Sequence, residues 1–304
     1  FLQCISEVNM AVVEELMTMG DLIMATGGPA MTKAAHSSGK PAYCSGAGNA
    51  TMIFDETTDI EEAARNTRTS KTSDFGSGCS ADGNLIIYGG IYDRMVVQLQ
   101  KEGGYLATDE QREMLKKAMW DEEGHRIVDT VAVSPQKLCR AAGFEIPEDR
   151  KFVMVVGDGI GKEFKFSGEK LTTLLALFRY EGDFENALKM MDGIYKVGGR
   201  GHSCGIYSHN DEHIHALALR APVTRIMVRQ PQSKANAGSA NNGMPMTSSM
   251  GCGTWGGNSG SDNLNYTHLL NKTRIIRTLE HYTEKDIDEI FLDSRFDDTQ
   301  HHSA

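Results

Sequence analysis

The chain lacks a basic excess, paired cysteines and any long apolar run, and each absence closes a class of function. Lys and Arg number 31 against 41 Asp and Glu, a formal net charge of −10. That makes a basic face to neutralise phosphates hard to build and argues against nucleic acid as a partner. The six cysteines, at 4, 44, 79, 139, 204 and 252, form no CxxC pair. Neither a zinc cage nor a disulfide framework is indicated, and free thiols are expected. No segment approaches the roughly 18 apolar residues that span a bilayer, and the Phe1 end lacks the basic-then-apolar order of a signal peptide. A cytoplasmic protein without a membrane partner is expected.

The 304 residues suffice for two domains. A hydrophobic share of 40%, a charged share of 24% and 32 glycines describe a globular, loop-rich chain that excludes extensive disorder. The sequence starts at Phe1 without Met, inside what reads as an established fold, so a preceding segment is expected.

An amphipathic stretch over 7–19 leads to a strand at Asp21–Thr26, the turn Gly27-Gly28-Pro29, a helix over 30–35 and a strand at 41–43. Strand, glycine turn, helix, strand is a βαβ rhythm. Asp59 caps a helix through Ser70, and strands follow at 84–88, 152–156, 174–178, 203–207 and 225–228. Helices are expected over 91–102, 108–120, 134–142, 183–196 and 211–220, which gives an α/β chain with parallel-type crossovers. Residues 233–261 are rich in Gly, Ser and Asn without apolar period, yet Met246 and Trp255 mark an ordered functional loop. The acidic tail is expected to fray. Met10, Met17, Met19, Met24 and Met31 fall among apolar positions and read as core.

Cys79 lies in Lys71-Thr-Ser-Asp-Phe-Gly-Ser-Gly-Cys79-Ser-Ala-Asp82, among small residues rather than at an apolar helical or strand spacing. Gly76 and Gly78 permit a tight path and close approach of a ligand, and loop amides can stabilise negative charge. The local sequence fits both a nucleophile and an inert half-buried thiol.

Several ordered segments resemble the CoA-acylating branch of the aldehyde dehydrogenase superfamily. They are Ala25-Thr-Gly-Gly-Pro29, Ser37-Ser-Gly-Lys-Pro41, Gly46-Ala-Gly-Asn49, Ser70-Lys-Thr72 leading to Cys79, Glu169-Lys-Leu171, Gly198-Gly-Arg-Gly-His202 and Gly251-Cys-Gly-Thr-Trp-Gly-Gly-Asn-Ser259. The resemblance implies an α/β, aldehyde dehydrogenase-like fold: an incomplete Rossmann-type dinucleotide-binding domain, of which 1–48 are the C-terminal part, and an α/β catalytic domain over 49–250. Residues 251–304 would then be a return segment and tail making a subunit contact in a homo-oligomer.

By the same resemblance Cys79 is the thiolate that attacks the aldehyde, after which hydride passes to NAD or NADP and the thioester is released to coenzyme A. Hydrolytic relatives place a glutamate base in the segment that matches Gly46-Ala-Gly-Asn49, where this chain has no carboxylate, so a thiol acceptor is expected over water. His202 matches a histidine suited to take the incoming thiol's proton, against the alternative of hydrogen-bonding the turn. Gly27, Gly28 and Pro29 match a cofactor-facing helix start, against a plain turn. Glu169 matches the carboxylate that contacts the nicotinamide ribose.

Arg229 stands where relatives have an uncharged residue, a pattern most similar to sulfoacetaldehyde dehydrogenases. Its guanidinium suits an anionic tail, against the alternative of a surface arginine. Two rivals stay open: a hydrolytic semialdehyde dehydrogenase, and a catalytically silent oligomeric scaffold. Gly157-Asp-Gly-Ile-Gly161-Lys162 lacks phosphate-loop spacing and reads as a turn between strands. His209, His213 and His215 read as a solvated helix face, so no metal is expected.

Overall fold

Every strand pairing among the described residues, 2–278 in this computed structural model, is parallel, as the βαβ rhythm requires. A two-stranded sheet joins β1 (Ile23–Thr26) to β2 (Ala42–Ser45) through α2 (Pro29–Ser37), with α1 (Met10–Met19) ahead of it. The larger sheet holds β3 (Thr51–Phe54), β4 (Asn84–Tyr88), β5 (Gly104–Leu106), β6 (Phe152–Val156), β7 (Leu174–Tyr180), β8 (Cys204–Tyr207) and β9 (Ile226–Val228). Their spatial order is β5-β6-β7-β4-β3-β8-β9.

Both faces of this sheet are covered, which is why its strands read as continuous apolar runs. On β3 the side chains alternate: Met52 and Phe54 enter a core with α3 (Ile60–Thr72) and α4 (Gly89–Lys101). Ile53 enters the opposite core, built with α5 (Asp109–Met119), α6 (Pro135–Ala141), α7 (Phe184–Val197) and α8 (Asp211–Arg220). Asp59 caps α3 as expected, accepting from the amides of Glu61 and Glu62 at 3.1 and 3.0 Å. A short helix α9 (Gln232–Ala235) opens the glycine-rich region.

The structure adds two strands that the sequence reading leaves out. The central strand β3 follows the Gly46–Gly48 turn after only a few residues, and Thr51 with three apolar residues without alternation resembles the end of that turn. β5 is a three-residue edge strand, too short to carry a pattern. The methionine reading is corrected: Met17 is buried, but Met10 and Met19 are 70% and 71% exposed and Met24 is also exposed. The small sheet with α1 and α2 buries only a thin cluster around Met17, Ile23, Ala35 and Cys44, so the outer methionines have nothing to pack on within it.

All six cysteines are free. Gly157–Gly161 lies between β6 and β7, away from any helix start. Among the described residues no helix is long and apolar enough to cross a membrane. Residues 2–269 form one compact unit; the tail expected to fray lies outside the described residues.

Candidate active site

Cys79, His202 and Glu169 gather around the segment that joins the two sheets. Ser45 ends β2 and Thr51 begins β3, so the chain leaves the small sheet by its outgoing edge and enters the large one by its incoming edge. Gly27, just after β1, donates its amide to Ser45 O at 3.1 Å. Three residues later along β2's exit, at most about 10 Å away, Gly48 crosses the Cys79 backbone. The crossing is so close that a Cβ on Gly48 would lie 1.8 Å from Cys79 O. Ligand crevices in such sheets form beyond the outgoing strand ends, and the chain leaving β2 runs to Gly48, which meets Cys79 before β4 and Glu169 before β7.

The Cys79 loop is held in an uncommon path. Asp74, Phe75 and Gly76 have φ of 47°, 52° and 67° in succession, and the two non-glycine residues cost about 1–3 kcal/mol each. At Gly76 a side chain would be placed 2.5 Å from Thr172 O. Ser77 stabilises the turn by donating its hydroxyl to Asp74 O at 2.7 Å.

His202 Nε2 lies 2.9 Å from Cys79 Sγ although 123 residues separate them, and its Nδ1 is 2.9 Å from Ser203 Oγ. The tautomer with its proton on Nδ1 leaves the Nε2 lone pair toward the thiol. Burial, with Arg225 nearby, pushes His202 down to about 3. Burial, then the charges of Glu169 and Cys252, pushes Cys79 up to about 11, opposed by the amides of Cys79 and Ser80. At neutral pH the proton therefore rests on sulfur and the imidazole is neutral, a resting pair rather than a preformed ion pair.

Glu169 accepts from the Gly48 amide at 3.0 Å through Oε1. Burial pushes its carboxyl up to about 7, against that amide, Lys170 and Lys71. Gly28 caps α2 without a side-chain bond and Pro29 starts the helix, so the first-turn amides are open.

Sequence reasoning missed a buried polar layer behind the thiol. Lys170 Nζ donates to Asn84 Oδ1 at 2.9 Å, Asn84 to Asn49 Oδ1 at 2.9 Å, and Asn49 to Ser167 O at 3.0 Å. Lys71 is buried and lowered to about 8 by desolvation, with Asp82 and Glu169 opposing. Asp82 accepts from Ser70 Oγ at 3.0 Å, and burial raises it to about 7. Helical spacing held the signal: Lys71 continues the buried face of Ala63, Ala64, Thr67 and Ser70. Cys252 Sγ accepts from the Gly46 amide at 3.4 Å.

Arg229 is not brought to Cys79. It follows β9 at the outgoing edge of the large sheet, whereas Cys79 precedes β4 at the incoming edge, and its Nη1 is 2.7 Å from His209 Nδ1. The expectation of an anion contact there is corrected, because parallel strands put residues before and after them on opposite edges. The histidine reading also changes. His213 is not solvated: it stacks on Phe184 at 4.1 Å and bonds buried Asp55 at 2.8 Å. Asp55, Glu56 and His213 gather ligand atoms within 4.8 Å of one another. Asp55 is already engaged by His213, Ser208 and Thr57, which makes it a clip between the loops after β3 and β8.

No protein-family model matches the chain. Over 299 residues, 96% of the chain, it is 38% identical to sulfoacetaldehyde dehydrogenase of Acholeplasma sp, covering 60% of that protein. It is 34% identical over 274 residues, 90% of the chain, to succinate-semialdehyde dehydrogenase (acetylating) of Clostridium kluyveri, again covering 60% of it. The crystal structure of an acetylating aldehyde dehydrogenase from Geobacillus thermoglucosidasius matches with a TM-score of 0.87 and 33% identity. That match takes in 93% of this chain and 62% of the other. The chain thus spans about three-fifths of the length of these relatives.

Proposed function

The chain belongs to the CoA-acylating aldehyde dehydrogenases over the length it shares with them, and on that premise we propose that it forms acyl-CoA from an aldehyde through a Cys79 thioester. The observation that carries the proposal is the 2.9 Å contact between Cys79 Sγ and His202 Nε2 at the junction of the two sheets. As sulfur attacks the carbonyl carbon, its proton passes to Nε2, which suits a neutral imidazole. The amides around Cys79 receive the developing oxyanion.

A nicotinamide dinucleotide, when bound, supplies the hydride acceptor. Gly27, Gly28 and Pro29 would present the open start of α2 to it, and Glu169 has Oε2 outside the Gly48 bond to accept from a ribose hydroxyl. Residues 1–48 would then serve the cofactor and 49–250 the chemistry, with 251–304 returning to a subunit contact. Once the thioester has formed, His202 gives up the Cys79 proton to solvent; in the second half-reaction its neutral Nε2 takes the proton of the coenzyme A thiol as that sulfur attacks the thioester, and returns it to Cys79 as Cys79 leaves. Gly46 offers no carboxylate to activate water instead.

For the substrate we propose a short anionic aldehyde, as the names of the two curated relatives suggest. With Arg229 at the opposite edge from Cys79, we take Arg200 as the cation for its tail. It is exposed, lies two residues before His202 and has no ion pair among the described residues. One observation favours hydrolysis as a second reading: Glu169, raised to about 7, is a carboxyl poised near the thiol. Steady-state reduction of NAD or NADP by the intact protein, with and without coenzyme A, separates the readings. Sustained turnover only with coenzyme A supports acylation; equal turnover without it, lost in Glu169→Gln, supports hydrolysis.

A further inference from the structure

Arg225 is buried immediately before β9, and its guanidinium meets only neutral oxygens. Nε donates to Asn263 Oδ1 at 2.7 Å, Nη2 to Ser261 O at 3.1 Å, and Nη1 to Gly251 O at 2.9 Å, Thr224 Oγ1 at 2.7 Å and His202 O at 3.3 Å. No carboxylate of the described residues bonds to it. A buried guanidinium normally has a partner carboxylate, because an unbalanced charge in a low dielectric is costly. Here five oxygens solvate it instead, drawn from His202, the strand start and the 251–263 loop. Exposed Asp262 acts on it only through space, and its Nη1 reaches the His202 main chain.

We propose that Arg225 is a positioning residue for the Cys79–His202 pair. It ties the His202 main chain to the 251–263 loop and holds a fixed positive charge near the ring, so that the imidazole stays neutral and free to accept a proton. This inference rests on the reading of Cys79 and His202 given above and adds the control of their protonation.

The titratable and charged groups around the pair come from every neighbouring segment. They are Glu169 before β7, Cys252 and Asp262 on the loop, and Arg225 itself. Only Arg225 adds to burial in lowering His202. A neutral imidazole matters twice in the cycle: it can take the thiol proton of Cys79, and later that of the acceptor thiol. An imidazolium could take neither.

The test needs no cofactor. The rate of iodoacetamide labelling at the Cys79 peptide is followed by mass spectrometry between pH 4 and 10 in the chain itself. In Arg225→Met, which keeps length and removes charge, imidazolium forms more readily and stabilises the adjacent thiolate by more than the loss of Arg225's own weak attraction to Cys79 takes away. Labelling at pH 7 should rise about tenfold, the effect of a shift of about one pKa unit, and the rise should vanish in the double variant with His202→Ala. Arg225→Lys should keep the wild-type pH profile. So should Asn263→Ala, which loses one tie and no charge. Where Arg225→Met fails to fold, Arg225→Gln takes its place in the labelling, and protonation of His202 near about pH 6.5 by NMR titration of the unsubstituted chain overturns the proposal. A Met profile identical to wild type, or Lys and Met profiles altered alike, overturns it too. If instead His202→Ala alone leaves Cys79 labelling unchanged, the underlying reading of the pair has failed, whatever Arg225 does.

Discussion

Replacing Gly48 by Ala should disable the site, and the structure gives the size of the effect. The added Cβ would stand 1.8 Å from Cys79 O, 2.7 Å from its carbonyl carbon and 3.1 Å from its Cα. All three are backbone atoms, so no side chain can rotate away. Restoring ordinary contact requires the two backbones to part by more than 1 Å. Overpacking of this kind costs about 1–3 kcal/mol where side chains can adjust, and a backbone against a backbone belongs at the upper end or beyond. The same displacement separates Cys79 from His202 Nε2, and a misplacement of about 1 Å can cost on the order of 10²-fold in rate. Gly78→Ala is the control: it is next to Cys79, yet a Cβ there meets nothing within 4 Å. Urea unfolding and Cys79 labelling at pH 8 measure both effects. Gly48→Ala should lose about 3 kcal/mol and much of its His202-dependent reactivity, while Gly78→Ala stays within about 0.5 kcal/mol of wild type. Equal behaviour of the two variants would refute the reasoning.

Three further outcomes are expected. Asp82 is raised from 3.8 to about 7 by burial, so the folded state binds its proton more tightly and this group's contribution is lost as pH rises from about 4 through 7. Asp82→Asn should therefore gain stability relative to wild type at pH 8 but not at pH 4, by chemical denaturation. A Cβ at Gly46 would find only Cys252 Sγ at 3.7 Å and Gly256 O at 3.9 Å, both ordinary contacts, so Gly46→Glu meets no clash at its first side-chain atom. It should raise coenzyme A-independent thioester hydrolysis by about 10²-fold, the lower range for a general base, in single-turnover assays. Arg200→Ala should cost about 1.5–3 kcal/mol in kcat/KM with an anionic aldehyde and little with acetaldehyde, and Arg229→Ala little with either; the reverse pattern would restore Arg229.

The sequence revealed the parts of the site that depend on local chemistry. Asp59, the β4 run and the glycines around Cys79 announce a cap, a strand and a tight loop within a few residues, and the structure has all three. The contact of His202 with Cys79 joins loops before different strands, and only the ordered motifs pointed to it. Arg229 was misplaced because a residue's neighbours in sequence do not say which end of a parallel strand it occupies. Arg225, four residues earlier, lies at the other end and by His202. The layer of Lys71, Asp82, Asn84 and Lys170 was hidden because polar residues in a sequence read as surface until a sheet closes over them.

The most direct test of a Cys79 thioester handed to a thiol is intact mass of the full protein after one turnover with NAD and aldehyde in the absence of coenzyme A. An acyl adduct on the Cys79 peptide, absent in Cys79→Ser and discharged as acyl-CoA within seconds of adding coenzyme A, is the expected result. Reduced cofactor with no adduct, or an adduct that water removes as fast as coenzyme A does, would contradict the account.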